Sequence, residues 1–308
     1  MNKIKETVKD ISPFNNRTDM PLIVYIIKVV LIFWVFKFGA ELICEGIVLA
    51  IHYACGKDPL QGEMFDINTI ILITYFGYSV MIGVIILFWK LFQKKSPAEL
   101  GFAGSPMSYI AGALAGAVLL AISVALVTFT GAIRYNGIFS HIDTGMVVLM
   151  FGGFVFQGAM EEVLCRGVVQ QLLQKKAPVF VAVGISALLF IVPHISSMDL
   201  SSPAITAIAI VNLVLISVVF SLLTLRFRSI WAACGLHTTW NYILYSILGL
   251  NLSGNDEITA AVFKMDSVGN NILNGGVYGI EASIITTAVL GAAACVLIFC
   301  CAGKTAAK

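Results

Sequence analysis

Charge is what this sequence lacks. Only 12% of its 308 residues are Asp, Glu, Lys or Arg, against 59% hydrophobic. A soluble protein of this length needs far more charge to cover its surface. The mean hydropathy is +0.94. There is no polar stretch long enough for a soluble domain, no low-complexity linker and no internal repeat. There is no C-x-x-C pair among seven cysteines, an odd number. That excludes a zinc ribbon and argues against a disulfide framework, leaving small buried hydrophobes as the ordinary reading. There is no H-E-x-x-H, no G-x-S-G, and no facing pair of Asp within apolar runs. A cleavable signal peptide is also not expected. Residues 1–20 are polar and basic, and the apolar run that follows is too long for a signal core.

What is there is a succession of apolar runs, most of them about 18 residues or longer, each able to cross a bilayer as a helix. The expected fold is all-α: one polytopic integral membrane domain over residues 1–308, with about eight transmembrane helices near 21–51, 67–92, 107–131, 143–173, 179–196, 204–225, 229–250 and 280–302. Residues 1–20 form a polar N-terminal segment. Pro- and Gly-containing connections such as "GKDPLQGE" and "KKSPAELGFAGSP" separate the runs. Loop cations alternate in density. Lys3, Lys5, Lys9 and Arg17 precede the first helix; Lys90, Lys94 and Lys95, then Lys175 and Lys176, then Arg226 and Arg228 follow the second, fourth and sixth; Lys304 and Lys308 end the chain. The opposite loops hold Lys57, Arg134 and Lys264. By the positive-inside rule both termini are expected in the cytoplasm, in the cell membrane.

The few ionisable groups inside apolar runs are the functional candidates, since each costs at least about 2.5 kcal/mol near the bilayer centre. In "GAMEEVLCRGVV", Glu162 and Arg166 are four apart, acid first, the favourable order for a helical ion pair. Glu161 points about 100° away from Glu162 and has no obvious local partner. In "FIVPH", Phe190 and His194 share a face, and Pro193 loosens the turn carrying the histidine. In "HTTWN", His237 and Asn241 share a face. Lys37, Glu41 and Glu45 read as a self-neutralising ladder near the outer interface, and Glu281 as a brace for the fold. At about 1.5 Å per residue, Glu161 lies roughly 21 Å from Lys175, His194 roughly 24 Å from Pro178, and Asn241 roughly 20 Å from Arg228. Three helices therefore bring a carboxylate, two histidines and an amide to one depth. That set suits hydrolysis by an activated water. Glu161 is the expected general base, helped by His194, and His237 with Asn241 the expected oxyanion donors. Ser186, in the near miss "GISA", is a weak rival nucleophile.

E-E-x-x-x-R (Glu161, Glu162, Arg166), F-x-x-x-H (Phe190, His194) and H-x-x-x-N (His237, Asn241), in that order on successive helices, resemble the CPBP family of intramembrane proteases. This is the CAAX protease and bacteriocin-processing group, which includes Rce1-like prenyl-protein endopeptidases. The resemblance covers about residues 143–250. It implies a peptidase acting on peptide or membrane-protein substrates among membrane lipid, with Glu161 and His194 activating water, His237 and Asn241 at the oxyanion, and Glu162, Arg166 and Phe190 in support. Its members have been described both as glutamate-type enzymes and as metalloproteases. No cofactor is expected here; zinc on Glu161, His194 and His237 is the alternative. No nucleic-acid partner is expected. The competing classes are a non-proteolytic membrane scaffold or immunity protein, and a transporter using the same buried charges.

Overall fold

The computed structural model describes residues 9–255 and 261–305. Of the polar N-terminal segment, it thus describes residue 9 onward. Eight long helices lie within a few residues of the positions read from hydropathy. α1 (Leu22–Ala54) begins directly after Pro21, whose fixed φ suits a helix start. α2 (Ile67–Leu91) is capped by the Asp66 carboxylate, which accepts from the Thr69 amide at 3.1 Å. α3 spans Met107–Phe129. α4 (Thr144–Glu162), capped by Asp143 on the Met146 amide at 2.9 Å, runs on through a π-helical stretch, Val163–Gln170, to Leu173. α5 (Val179–Ile191) tightens into a 3-10 turn over Val192–Ser197. α6 (Pro203–Phe227) stops where Arg228 turns left-handed at φ 51°. α7 (Trp231–Tyr242) ends in a π turn, Ile243–Ile247, and α8 is Ile284–Thr305.

The chain is thus an all-α polytopic membrane fold. Six of its helices, α1 to α6, are long and apolar enough to cross a bilayer. α7 is shorter, its 12 α-helical residues running into the π turn, and α8 is an apolar helix of 22 residues. One element has no counterpart in the hydropathy reading. β1 (Ile133–Ile138) follows α3, β2 (Phe263–Ser267) precedes α8, and they pair antiparallel with Arg134 opposite Asp266 and a register shift between Tyr135 and Ile138. The pairing ties together two loops whose cations, Arg134 and Lys264, had been assigned to the same side of the membrane.

Glycine sets how closely the site-bearing helices approach. Gly112 and Gly116 form a G-x-x-x-G face on α3, and Gly235 stands opposite on α7. A Cβ on Gly112 would lie 1.9 Å from the Ala232 carbonyl oxygen, and one on Gly235 2.0 Å from that of Tyr109. Backbones in lipid associate by such contact because apolar side chains gain nothing over lipid tails. This packing holds α7, and with it His237 and Asn241, against the bundle. On the other flank, a Cβ at Gly158 of α4 would be 3.3 Å from His237 Cβ and the Thr238 amide nitrogen. Gly235→Ala is therefore expected to lower the thermal unfolding midpoint in detergent and to displace the α7 side chains. Gly184→Ala, at a position with open space around it, is expected to leave the midpoint unchanged or slightly raised, because alanine favours the helix. Equal midpoints for the two variants would contradict the close-packing assignment.

Candidate active site

The site begins with two adjacent acids that face different neighbours. Glu162 is the last residue of the α-helical part of α4 and is fully buried, as is Arg166. Arg166 Nη1 donates to Glu162 Oε1 at 3.0 Å. Its Nη2 reaches across to α6, donating to Ser217 Oγ at 2.6 Å and to the Ser217 carbonyl at 3.1 Å. The guanidinium carbon lies 4.9 Å from the ring centres of both Phe190 and Phe220. Arg166 thus pins α4 to α5 and α6 by charge, fork geometry and ring contact together. The π-helical winding that follows Glu162 is the kind of local widening often found at functional sites.

Glu162 Oε1 also faces His237 Nδ1 at 3.0 Å. A ring nitrogen facing a carboxylate carries the proton, so Nδ1–H donates and Nε2 turns the other way. The His237 ring is stacked on Phe220, with centres 4.9 Å apart and planes at 16°. Its Nε2 lies 3.8 Å from Glu161 Oε2. His237 therefore bridges the two acids: one fixes the ring and the other meets its free edge.

Glu161, which has no obvious local partner in the sequence, has one in the structure. Gln157, one turn earlier on α4, donates from Nε2 to Glu161 Oε1 at 2.7 Å. The same amide accepts, at its Oε1, an N–H of Asn241 at 3.0 Å. Gln157 thus joins the carboxylate to the amide on α7 and fixes both. The second N–H of Asn241 remains for another acceptor. On α5, His194 Nδ1 lies 2.8 Å from the Phe190 carbonyl. In a 3-10 turn backbone amides bond three residues back rather than four, so the ring supplies Phe190 with a donor. Facing a carbonyl, His194 Nδ1 carries the proton, which leaves Nε2 as a lone pair in the neutral ring. The ring centres of Phe190 and His194 are 4.9 Å apart.

Two cavities meet at these groups. The larger, about 230 Å³, is lined by Glu161, His194, His237 and Asn241, the four expected catalytic residues. Phe190 lines it too, while Glu162 and Arg166 lie behind it, fully buried. Its other walls include Tyr75, Tyr78 and Trp240. The smaller, about 160 Å³, shares Glu161, Phe190 and His194 with the first and is otherwise lined mainly by apolar side chains of α1, α4 and α5. Ser186 is not on either wall; it is fully buried and donates to the Cys165 carbonyl at 2.9 Å.

The sequence reading did not foresee that Glu281 and Lys37 line these cavities. Glu281 lines the larger cavity; its Oε2 accepts from the Ser253 amide at 2.6 Å and the Ser253 hydroxyl at 2.9 Å. Asn212 of α6 holds the backbone there, donating to the carbonyls of Glu281 and Ser283 at 2.8 and 2.9 Å. The segment before α8 therefore folds back to the depth of the acids. Lys37, read as part of a ladder near the outer interface, pairs with Glu41 at 2.9 Å but lines the smaller cavity beside Glu161 and His194. Gln157 carried a usable signal, its four-residue spacing from Glu161, that the search for ionisable groups passed over.

Among the described residues, no three His, Cys, Asp or Glu side chains are arranged to hold a metal ion. Glu161, His194 and His237, the set named for zinc, do not fit that role as they stand, and no step is assigned to a metal.

A buried acid–base cluster at the meeting of two cavities, inside a polytopic helical membrane fold, has the makings of an intramembrane hydrolase. Residues 143–243 match the family model described as Type II CAAX prenyl endopeptidase Rce1-like. The match takes in all three motifs and covers a third of the chain. It agrees with the resemblance read from the sequence and supports a CAAX-type intramembrane endopeptidase. No curated protein matches the chain.

Proposed function

We propose that the chain is an intramembrane endopeptidase that hydrolyses a peptide bond with a water activated by Glu161 and His194. The observation that carries this is the convergence of Glu161, His194, His237 and Asn241 on one cavity from three helices. Water sits between the Glu161 carboxylate and His194 Nε2. Glu161 takes its proton as the water oxygen bonds to the carbonyl carbon. The oxyanion accepts from the free N–H of Asn241 and from His237 Nε2. Charge balance favours a proton on that nitrogen: Glu161, Glu162 and Arg166 together leave one negative charge, which an imidazolium between the two acids cancels. When the carbon–nitrogen bond breaks, the departing amine takes up the proton that the water gave. The upstream product keeps the water oxygen in its new carboxylate.

In this reading both termini are cytoplasmic, which the distribution of loop cations supports. The substrate is a peptide or a membrane protein, and a prenylated C-terminal segment, the substrate class in the matched family's description, is the first to try. The test is peptide cleavage by the purified protein in liposomes, read by mass spectrometry and repeated with Glu161→Gln. Cleavage at the same rate in both would remove the proposed base. Asn241→Ala is expected to lower kcat by about 10²–10³-fold with little change in KM, the signature of a donor that acts on the transition state. A rise in KM alone would make Asn241 a substrate-binding group instead.

A further inference from the structure

Away from the acids, at the end of the bundle where loop cations are dense, lies a cavity of about 100 Å³. The N-terminal segment, the first turns of α1, the chain after α2 and the end of α4 wall it. Arg17, Lys28, Lys95 and Lys175 all line it, and no Asp or Glu does. Topology accounts for lysines in loops, but not for Lys28. That residue sits roughly 9 Å into α1, at about 1.5 Å per residue, and is only 2% exposed. Its ammonium donates to Asn15 Oδ1 at 2.6 Å and to the Arg17 carbonyl at 2.9 Å. Both acceptors are neutral, so they solvate the charge without cancelling it, and the third N–H of the ammonium is left over among the described contacts. Asp10 offsets Arg17 at 3.0 Å, and Glu99 offsets Lys95. Lys175 has its Nζ 5.3 Å from the ring centre of buried Trp89 and no carboxylate in ion-pair reach among the described residues. It stands at the exposed rim, yet desolvation against the wall, and then Lys95 beside it, draw its pKa down to about 7. Just outside, Lys176 and Asp19 add one charge of each sign. The protein itself thus leaves the charges of Lys28 and Lys175 uncancelled.

We infer that this cavity binds a phosphate group between Lys28 and Lys175, carried by an anionic lipid headgroup or free in solution. A phosphate brings up to two negative charges and several acceptor oxygens, which matches two ammoniums better than a single carboxylate does. The cavity is too small for a length of peptide. Its depth suits the headgroup layer: Lys28 is about two turns inside α1, while Arg17, Lys95 and Lys175 lie beyond the helix ends. A basic pocket between helices at that level is the ordinary form of a headgroup site. The outer wall is already assembled. Lys176 donates to the carbonyls of Thr18 and Met20, and Gln93 to that of Asn15 at 3.2 Å. A bound phosphate therefore fastens the N-terminal segment and α1 to the end of α4, the helix that carries Glu161 and Glu162. The inference stands whether or not the chain is a peptidase.

The test is ligand retention by the full chain in dodecyl maltoside, read by native mass spectrometry, with thermal unfolding alongside. The probes are dioleoylphosphatidylglycerol, dioleoylphosphatidylcholine and inorganic phosphate, at ionic strength matched with sodium chloride. At least one anionic probe, phosphatidylglycerol or phosphate, is expected to bind one per chain, about tenfold or more tighter than phosphatidylcholine, and to raise the thermal midpoint by linkage. Lys175→Gln, at the exposed rim, should weaken that binding about fivefold and remove most of the rise. Lys28→Met should abolish both; if it does not fold, Lys175→Gln decides. Arg226→Gln takes away a loop cation outside the cavity and should change neither. A Lys175-dependent effect of inorganic phosphate that also displaces the lipid assigns the site to a free phosphate. The same effect from phosphatidylglycerol alone assigns it to a headgroup, and either result supports the site. Binding of neither probe would overturn the inference, and so would binding that survives Lys175→Gln. An equal loss in Arg226→Gln would reduce the effect to diffuse surface charge and overturn it too.

Discussion

Glu161→Gln is expected to slow cleavage by roughly 10²–10⁴-fold, the contribution of a positioned general base, while leaving the fold intact. Glutamine keeps the shape of the side chain and a carbonyl oxygen that can still accept from Gln157 Nε2, as Glu161 Oε1 does now at 2.7 Å. It cannot take a proton from water. With the Glu161 charge gone, His237 can return to the neutral ring and the cluster stays balanced by the Glu162–Arg166 pair, so the thermal midpoint should hold. Glu161→Asp separates position from chemistry. The acid remains but is drawn back by one methylene, and a displacement of about 1 Å from the reacting atoms can cost about 10²-fold. Single-turnover rates on one cleaved peptide would measure both variants. Rates within tenfold of wild type in Glu161→Gln, with the protein folded, would show that another group activates the nucleophile.

The sequence made the helices and the acids easy to find, for the same physical reason. In a chain that is 59% hydrophobic, a run of about 20 apolar residues marks a span, and a charge inside it stands out. The 3-10 turn around Pro193 falls where the proline was expected to loosen the helix. The pairing of β1 with β2 was hidden, because it joins residues more than a hundred positions apart and both strands read as loop. The π winding after Glu162 leaves no mark in a hydropathy pattern. Gln157 was hidden by its neutrality, although its spacing from Glu161 was in plain view. Lys37 and Glu281 were visible, but the cavities they line were not. The same count of about 1.5 Å per residue that placed Glu161 puts Lys37 roughly 22 Å into α1. Glu281 escapes such counting, because the segment before α8 turns back into the bundle.

Arg166→Met is expected to cost about 3–5 kcal/mol of stability, the usual penalty for stripping a buried charge of its partner. Glu162 would remain fully buried, with the His237 ring as its one hydrogen-bond donor among the described contacts. The bonds to Ser217 and the contacts with Phe190 and Phe220 would go as well. Arg166→Lys is expected to rescue little, since an ammonium cannot reach Glu162 and Ser217 in two directions as the planar fork does. The double variant Arg166→Met with Glu162→Leu tells a structural role from a catalytic one. Replacing both members of a buried ion pair with apolar groups is often neutral for stability, so the double variant should melt closer to wild type than Arg166→Met alone. It should nevertheless stay inactive, because His237 Nδ1 loses the acceptor that turns Nε2 toward Glu161. Thermal unfolding and peptide cleavage on the same preparations would measure both effects. A double variant that melts lower than the single one would mean that the pair stabilises the fold outright. A double variant that is stable and active would mean that His237 needs no second acid to hold it.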